Sequence, residues 1–226
     1  MGLSLVGIDC DLGEASVQIA SDSYSIGELA TRRLIDDGCS RILCLRNNSR
    51  MRMPANKRTD AYYDVVEQAG LPALVREVEF VKSDDEKSAV VAKILDENPD
   101  IDGIFAGDDT MAAICLNVMK QRGLSAPDDI KVVGADGARR TMTFMPDLTT
   151  VRQDIDRIGE LAAQSIIALV NGEKPESNIK LPVELIEAKP PSSFRAKRIP
   201  RTLLMTVRRH MSTVCRRLEL RKDVLM

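Results

Sequence analysis

GIFAGDDTMAAICLNVMKQRG, residues Gly103–Gly123, decides how the rest of the chain is read. Residues 103–106 form a short β-rich run, residues 108–122 a longer amphipathic stretch, and Gly123 is its stop. The same unit recurs in both directions. Toward the carboxyl end, 131–135 and 148–152 read as strands. Residues 155–170 give the strongest helix, with Ile155, Ile158, Leu161, Ala162, Ile166 and Leu169 on one stripe, closed by Asn171-Gly172. Residues 179–187 alternate as a final strand, apart from Pro182, which marks an edge position or an irregularity. Toward the amino end, 86–97 reads as a helix, 78–81 as a strand and 56–69 as a helix with Tyr62, Val65, Val66 and Ala69 on one face. Residues 41–45 read as a strand and 24–37 as a helix stopped by Gly38. Strands alternating with helices specify a parallel sheet flanked by helices, joined by right-handed crossovers, so the fold class is α/β.

The 226 residues are 44% apolar and 29% charged, with 13 Gly and 10 Pro, a globular composition. The apolar runs fall far short of the roughly 20 residues of a membrane span, and no span is expected. Residues 1–20 hold Asp9, Asp11 and Glu14 and no basic residue, so no secretory signal is expected either. Cys10, Cys39, Cys44, Cys115 and Cys215 are scattered and form no C-x-x-C pair, which points to a reducing, cytoplasmic setting. The net charge of −2 conceals an asymmetry: 192–226 carry +8, and 1–191 carry −10. An acidic body repels phosphate and is not built to hold nucleic acid by itself.

In an open parallel sheet the ligand crevice lies outside the carboxyl ends of the strands. Those loops carry Arg46 to Arg52 with Arg58 just beyond, Lys82 and Ser83, Asp108 and Asp109, Asp136, and Gln153 and Asp154. Carboxylates accept from hydroxyls, guanidinium donates in a fixed fork and an amide does both, so this rim suits a small polyhydroxylated ligand. Each residue also has a plainer reading. Asp108 sits where a helix N-cap belongs, Arg58 fits a solvated helix surface, and Asp136 before Gly137 fits a turn. The adjacent carboxylates Asp108-Asp109 and Asp128-Asp129 are expected to be a helix cap and a solvated loop rather than metal pairs.

No catalytic residue, metal site or cofactor is expected. G-x-G-x-x-G and G-x-x-x-x-G-K-[ST] are both absent, and the sole histidine, His210, lies in the basic tail. That leaves the body without a Ser-His or Cys-His pair, and a binding domain is favoured over an enzyme.

Several stretches resemble the LacI/GalR transcription regulators. Ser21-Asp22-Ser23-Tyr24-Ser25-Ile26-Gly27 resembles that family's D-N-x-x-G helix start, and Lys57-Arg58-Thr59-Asp60-Ala61-Tyr62 its G-R-x-x-G-F segment. Residues 103–112 are similar to A-x-x-x-x-N-D-x-x-A. The most specific match is Val133-Gly134-Ala135-Asp136 followed by Pro146-Asp147-Leu148-Thr149-Thr150-Val151-Arg152-Gln153-Asp154, which is similar to P-x-L-T-T-[IV]-x-Q. The resemblance covers about residues 5–188. It implies a periplasmic-binding-protein-like fold of two α/β lobes with a sugar, polyol or purine effector in the cleft. It places ligand contacts on Arg58, Asp108, Asp136, Gln153 and Asp9, with Arg52 and Lys82 as further candidates.

By the same resemblance, 10–149 would be a nearly complete carboxyl-terminal lobe. Residues 1–9 and 150–190 would be the remnant of an incomplete amino-terminal lobe, and 191–226 a basic tail. Cys39, Lys57 and Ala61 depart from the family pattern. The helix-turn-helix that reads DNA in family members is not found in this chain, so DNA would be reached only through a domain missing here. The expected function is effector sensing for a homodimeric regulator. The alternatives are the sugar-binding protein of a transport system and a fragment that binds nothing. Residues 202–218 of the tail read as a basic amphipathic helix, with Leu203, Val207, Met211, Val214 and Leu218 on one face.

Overall fold

Along residues 42–45 the side chains alternate between two faces and every one is buried: Ile42 and Cys44 point one way, Leu43 and Leu45 the other. A strand buried on both faces belongs to the middle of a parallel sheet covered by helices on each side. The computed structural model describes residues 5–10, 12–13, 16–48, 56–79 and 82–188. Arg52 and the expected helix at 202–218 lie outside them.

The elements, in order, are β1 (Leu5–Ile8), β2 (Ser16–Ser21), α1 (Ser23–Asp36), β3 (Ile42–Asn48), α2 (Asn56–Gln68), β4 (Leu74–Glu79), α3 (Asp84–Glu97) and β5 (Gly103–Ala106). They continue with α4 (Asp109–Gln121), β6 (Lys131–Asp136), α5 (Arg139–Phe144), β7 (Thr149–Gln153), α6 (Ile155–Val170), β8 (Asn178–Leu181) and β9 (Val183–Ile186). Six strands form one sheet in the order β4-β3-β5-β6-β7-β9, and three form a second in the order β1-β2-β8. All pairings are parallel except β7 with β9.

On one face of the larger sheet, Ile26, Ala30 and Leu34 of α1 and Tyr62 and Val66 of α2 pack on Cys44, Phe105, Val133 and Val151. On the other, Val91 and Leu95 of α3 and Met111, Cys115 and Met119 of α4 cover Leu43, Leu45, Ile104 and Val132. The three-stranded sheet is covered by α6, whose Ile158 and Ala162 pack on Val17 and Ile19.

The strand partition differs from the one expected. A break at 9/10 would separate β1 from β2, yet these pair with each other, and β7 and β9 pair inside the larger sheet rather than with the smaller. The chain passes between sheets after Ser21, after Gln153 and at Pro182. The last of these corrects the single strand read over 179–187. With no N–H to donate, Pro182 ends one ladder, and the chain re-enters the other sheet as β9.

The expected strand at 78–81 is β4, and it starts earlier, at Leu74. The buried Tyr62 hydroxyl accepts from the Leu74 amide at 2.8 Å and donates to the Ile42 carbonyl at 2.7 Å, which pins the starts of β4 and β3 to α2. The short helix α5 has no buried residue, so it carried no periodic apolar signal.

Candidate functional site

Arg58 lies in the first turn of α2, and Gly27 of α1 determines where that turn sits. A Cβ built on Gly27 would come 2.1 Å from the Arg58 carbonyl oxygen, so the two helices touch backbone to backbone there. The Arg58 side chain, only 12% exposed, reaches across the sheet end. Its Nη1 donates to the Gly107 carbonyl at 2.5 Å, and its Nη2 lies 3.5 Å from Asp136 Oδ1.

Asp136 ends β6 and Gln153 ends β7, one strand over. Gln153 Nε2 donates to Asp136 Oδ1 at 2.6 Å. Arg58, Asp136 and Gln153 therefore form one hydrogen-bonded cluster at the carboxyl ends of adjacent parallel strands, where the crevice rule places a ligand. Burial pushes the Asp136 carboxyl up to about 6. The Arg58 charge opposes that shift, the carboxylates of Asp108 and Asp109 add to it, and the Gln153 hydrogen bond opposes it.

Asp136 also has a φ of +111°, outside the range most side chains adopt, and Gly137 follows at +57°. The glycine is required by space as well as by conformation, since a Cβ there would lie 2.6 Å from the Arg152 Cα.

Asp108 does serve as the N-cap of α4, its Oδ1 accepting from the Met111 amide at 2.7 Å, while its charge is felt at Asp136. Asp9 sits with φ +48° after β1. Its amide donates to the Ile19 carbonyl at 3.0 Å and its Oδ1 accepts from the Ser21 amide at 3.2 Å, so it braces the chain just before it leaves the three-stranded sheet. Lys82 follows the edge strand β4 and faces Glu79 at 3.8 Å, a local pair not joined to the Asp136 cluster. Arg52 falls outside the described residues.

Asp109, read as one of the rim residues, lies instead in the interior. It is 3% exposed, and its carboxylate accepts from the Gly137 amide at 2.9 Å and from Thr150 Oγ1 at 2.6 Å. Those partners lie 28 and 41 residues away, and a single sequence carries no signal for such contacts.

A groove of about 510 Å³ adjoins the cluster and shares only Gln153 with it. Its charged walls are already paired, Arg152 with Glu184 at 2.5 Å and Arg139 with Asp156 at 3.1 Å. The apolar Met142, Ile155, Pro182 and Val183 and the polar Gln153 and Asp154 complete its lining. Among the described residues no group of three or more His, Cys, Asp or Glu is placed to hold a metal ion, and no helix is long and apolar enough to cross a membrane.

Two helix-covered sheets, parallel except for the β7–β9 pair, joined by three crossing segments and carrying an Arg–Asp–Gln cluster at the strand ends, define an α/β domain. The profile of the periplasmic-binding-protein-like domain family matches residues 31–188. The ribose operon repressor of Halalkalibacterium halodurans is 30% identical over 188 residues, 82% of this chain and 56% of the repressor. A solved complex of the transcriptional regulator CelR with cellobiose superposes with a TM-score of 0.71 at 26% identity, over 81% of this chain and 58% of that one. A LacI family regulator of Arthrobacter sp. FB24 in complex with lactose superposes at 0.70 with 25% identity, over 82% and 70%. The chain belongs to the periplasmic-binding-protein-like domain family, in its LacI/GalR regulator branch. It spans a little over half the length of the ribose operon repressor.

Proposed function

We propose that this chain is the effector-sensing portion of a LacI/GalR-type transcription regulator and that a sugar binds at the Arg58–Asp136–Gln153 cluster. The observation that carries this is the convergence of a cation, a carboxylate and an amide from α2, β6 and β7 on one polar centre at the strand ends. Asp136 in its ionised form accepts from the hydroxyls of the ligand, Arg58 donates to a ring or hydroxyl oxygen, and Gln153 holds the carboxylate in place. Asp108 borders the same centre. Asp9 supplies a carboxylate from the three-stranded sheet, so that one ligand bridges both sheets. Lys82 contributes from the rim, and Arg52 is a further candidate by its place in the sequence after β3. The similarity to a ribose operon repressor and to regulators solved with cellobiose and with lactose directs the choice of ligand class to sugars.

The three crossing segments between the sheets are the hinge of this device. A ligand that binds one relative placement of the sheets better than another shifts the equilibrium between them by its difference in affinity. In an assembled homodimeric regulator, the same coupling raises or lowers affinity for operator DNA by an equal factor.

Thermal unfolding of the whole chain with D-ribose, cellobiose and lactose, each at millimolar concentration, tests this reading. A sugar present at about 100 times its Kd stabilises by roughly 2.7 kcal/mol, a visible rise in Tm. The rise is expected with at least one sugar and is expected to vanish in Asp136→Ala. A Tm that no sugar moves would overturn the reading.

A further inference from the structure

We infer that Asp109 is a positioning residue, holding the Asp136–Gly137 turn so that the Asp136 carboxylate stays aimed at Arg58 and Gln153. The inference rests on the site reading above and adds a residue to it. Asp109 is the first residue of α4 and is buried. Its two carboxylate oxygens have separate tasks. Oδ2 accepts from the Gly137 amide, the peptide that follows Asp136 in the chain, and Oδ1 accepts from the Thr150 hydroxyl on β7. Thr141, on α5 beyond the turn, also favours the ionised carboxyl. One carboxylate thus ties the start of α4 to the turn after β6 and to β7, the strand that ends in Gln153.

The turn needs such a tie. Asp136 and Gly137 are both at positive φ, and a non-glycine residue stays in that region only where its surroundings over-determine it. Space for the carboxylate is made by Gly134, two residues upstream on β6, where a Cβ would come 2.5 Å from Asp109 Oδ1. Any side chain at 134 would displace the group that fixes the turn at 136–137. Burial raises the Asp109 carboxyl, and the bonds from Thr150 and Gly137 offset that cost of burial.

The test compares Asp109→Ala and Asp109→Asn with Leu95→Ala, a cavity in the α3 core away from the turn. An asparagine keeps the geometry, since its amide oxygen accepts from Gly137 and its NH2 donates to the Thr150 hydroxyl. Alanine keeps neither bond. Two readouts require no ligand: hydrogen exchange of the Gly137 amide and the NMR position of the Gln153 side-chain amide. In Asp109→Ala, Gly137 exchange is expected to rise by about tenfold or more over that in Leu95→Ala, with the Gln153 amide shifted toward its free position. Asp109→Asn should stay within about threefold of wild type. Of the three sugars, any that wild type binds should lose about tenfold in Kd in the alanine variant and little in the asparagine or Leu95 variants. Should Asp109→Ala not fold, Thr150→Val removes one anchor and is expected to give an intermediate rise at Gly137.

Gly137 protection in Asp109→Ala equal to that in Leu95→Ala would overturn the inference. So would a loosened turn with unchanged sugar affinity. If wild type binds none of the sugars, the site reading fails, and the two ligand-free readouts still decide whether Asp109 positions Asp136.

Discussion

Asp136 is the residue on which the site turns. Its carboxylate is surrounded by one cation, Arg58, one amide, Gln153, and two further acids, Asp108 and Asp109. Burial disfavours its charge, so its carboxyl titrates near 6 when folded and near the ordinary aspartate value when unfolded. A raised carboxyl pKa means that the folded state binds the proton more tightly. Asp136 therefore adds stability that is fully present below about pH 4 and lost as pH rises through about 6. In urea unfolding across pH 4 to 7, wild type is expected to lose stability relative to Asp136→Asn as pH rises. A difference independent of pH would show that Asp136 is not held in this way. Sugar affinity has the opposite dependence, falling below about pH 6 as the acceptor is protonated. The sequence marked Arg58, Asp136 and Gln153 through their places after strands, and it marked Asp108 both as a cap and as a rim residue. It missed the burial of Asp109, because that burial is created by Gly134, Gly137 and Thr150, distant in sequence.

Helix α2 is the element that aims Arg58, and its placement depends on α1 more than on its own residues. With the Arg58 backbone seated on Gly27, an added methyl has no room unless the helices separate. Gly27→Ala is expected to cost about 1–3 kcal/mol from overpacking, measured by denaturant unfolding, and to weaken sugar binding by drawing Arg58 away from Asp136. A variant with wild-type stability and affinity would show that the contact is soft. Strong periodicity made α1, α2, α3, α4 and α6 legible in the sequence to within a residue or two. The weak elements were not: the helix next to β2 in the chain, α1, packs on the other sheet, and α5 buries nothing. The cover for β1 and β2 is α6, more than a hundred residues later.

At the scale of the whole molecule, the candidate residues fall on two sheets. Arg58, Asp108, Asp136 and Gln153 gather at the larger sheet, and Asp9 braces the smaller one. If one sugar bridges them, binding slows hydrogen exchange in both places. Amides near Asp9 and Ser21 and those at the ends of β6 and β7 are all expected to gain protection from the same ligand. Protection confined to the larger sheet would remove Asp9 from the site and leave the Asp136 cluster as the whole of it.

The sequence by itself determined the α/β class, the strand and helix alternation from α1 onward, and the loops whose polar residues meet at the strand ends. These are local matters: side-chain period, caps and stops act over a few residues, and the crevice rule follows once the strands are parallel. Tertiary structure alone decided which strands share a sheet, where the chain crosses between them and which way β9 runs. It also decided that Asp109 is buried behind Asp136 rather than on the rim. Those outcomes depend on contacts between residues tens to more than a hundred positions apart, such as Gly27 with Arg58, Asp109 with Thr150 and Val17 with Ile158. No property of a short stretch of chain encodes such pairs; they arise when the packed sheets bring them together.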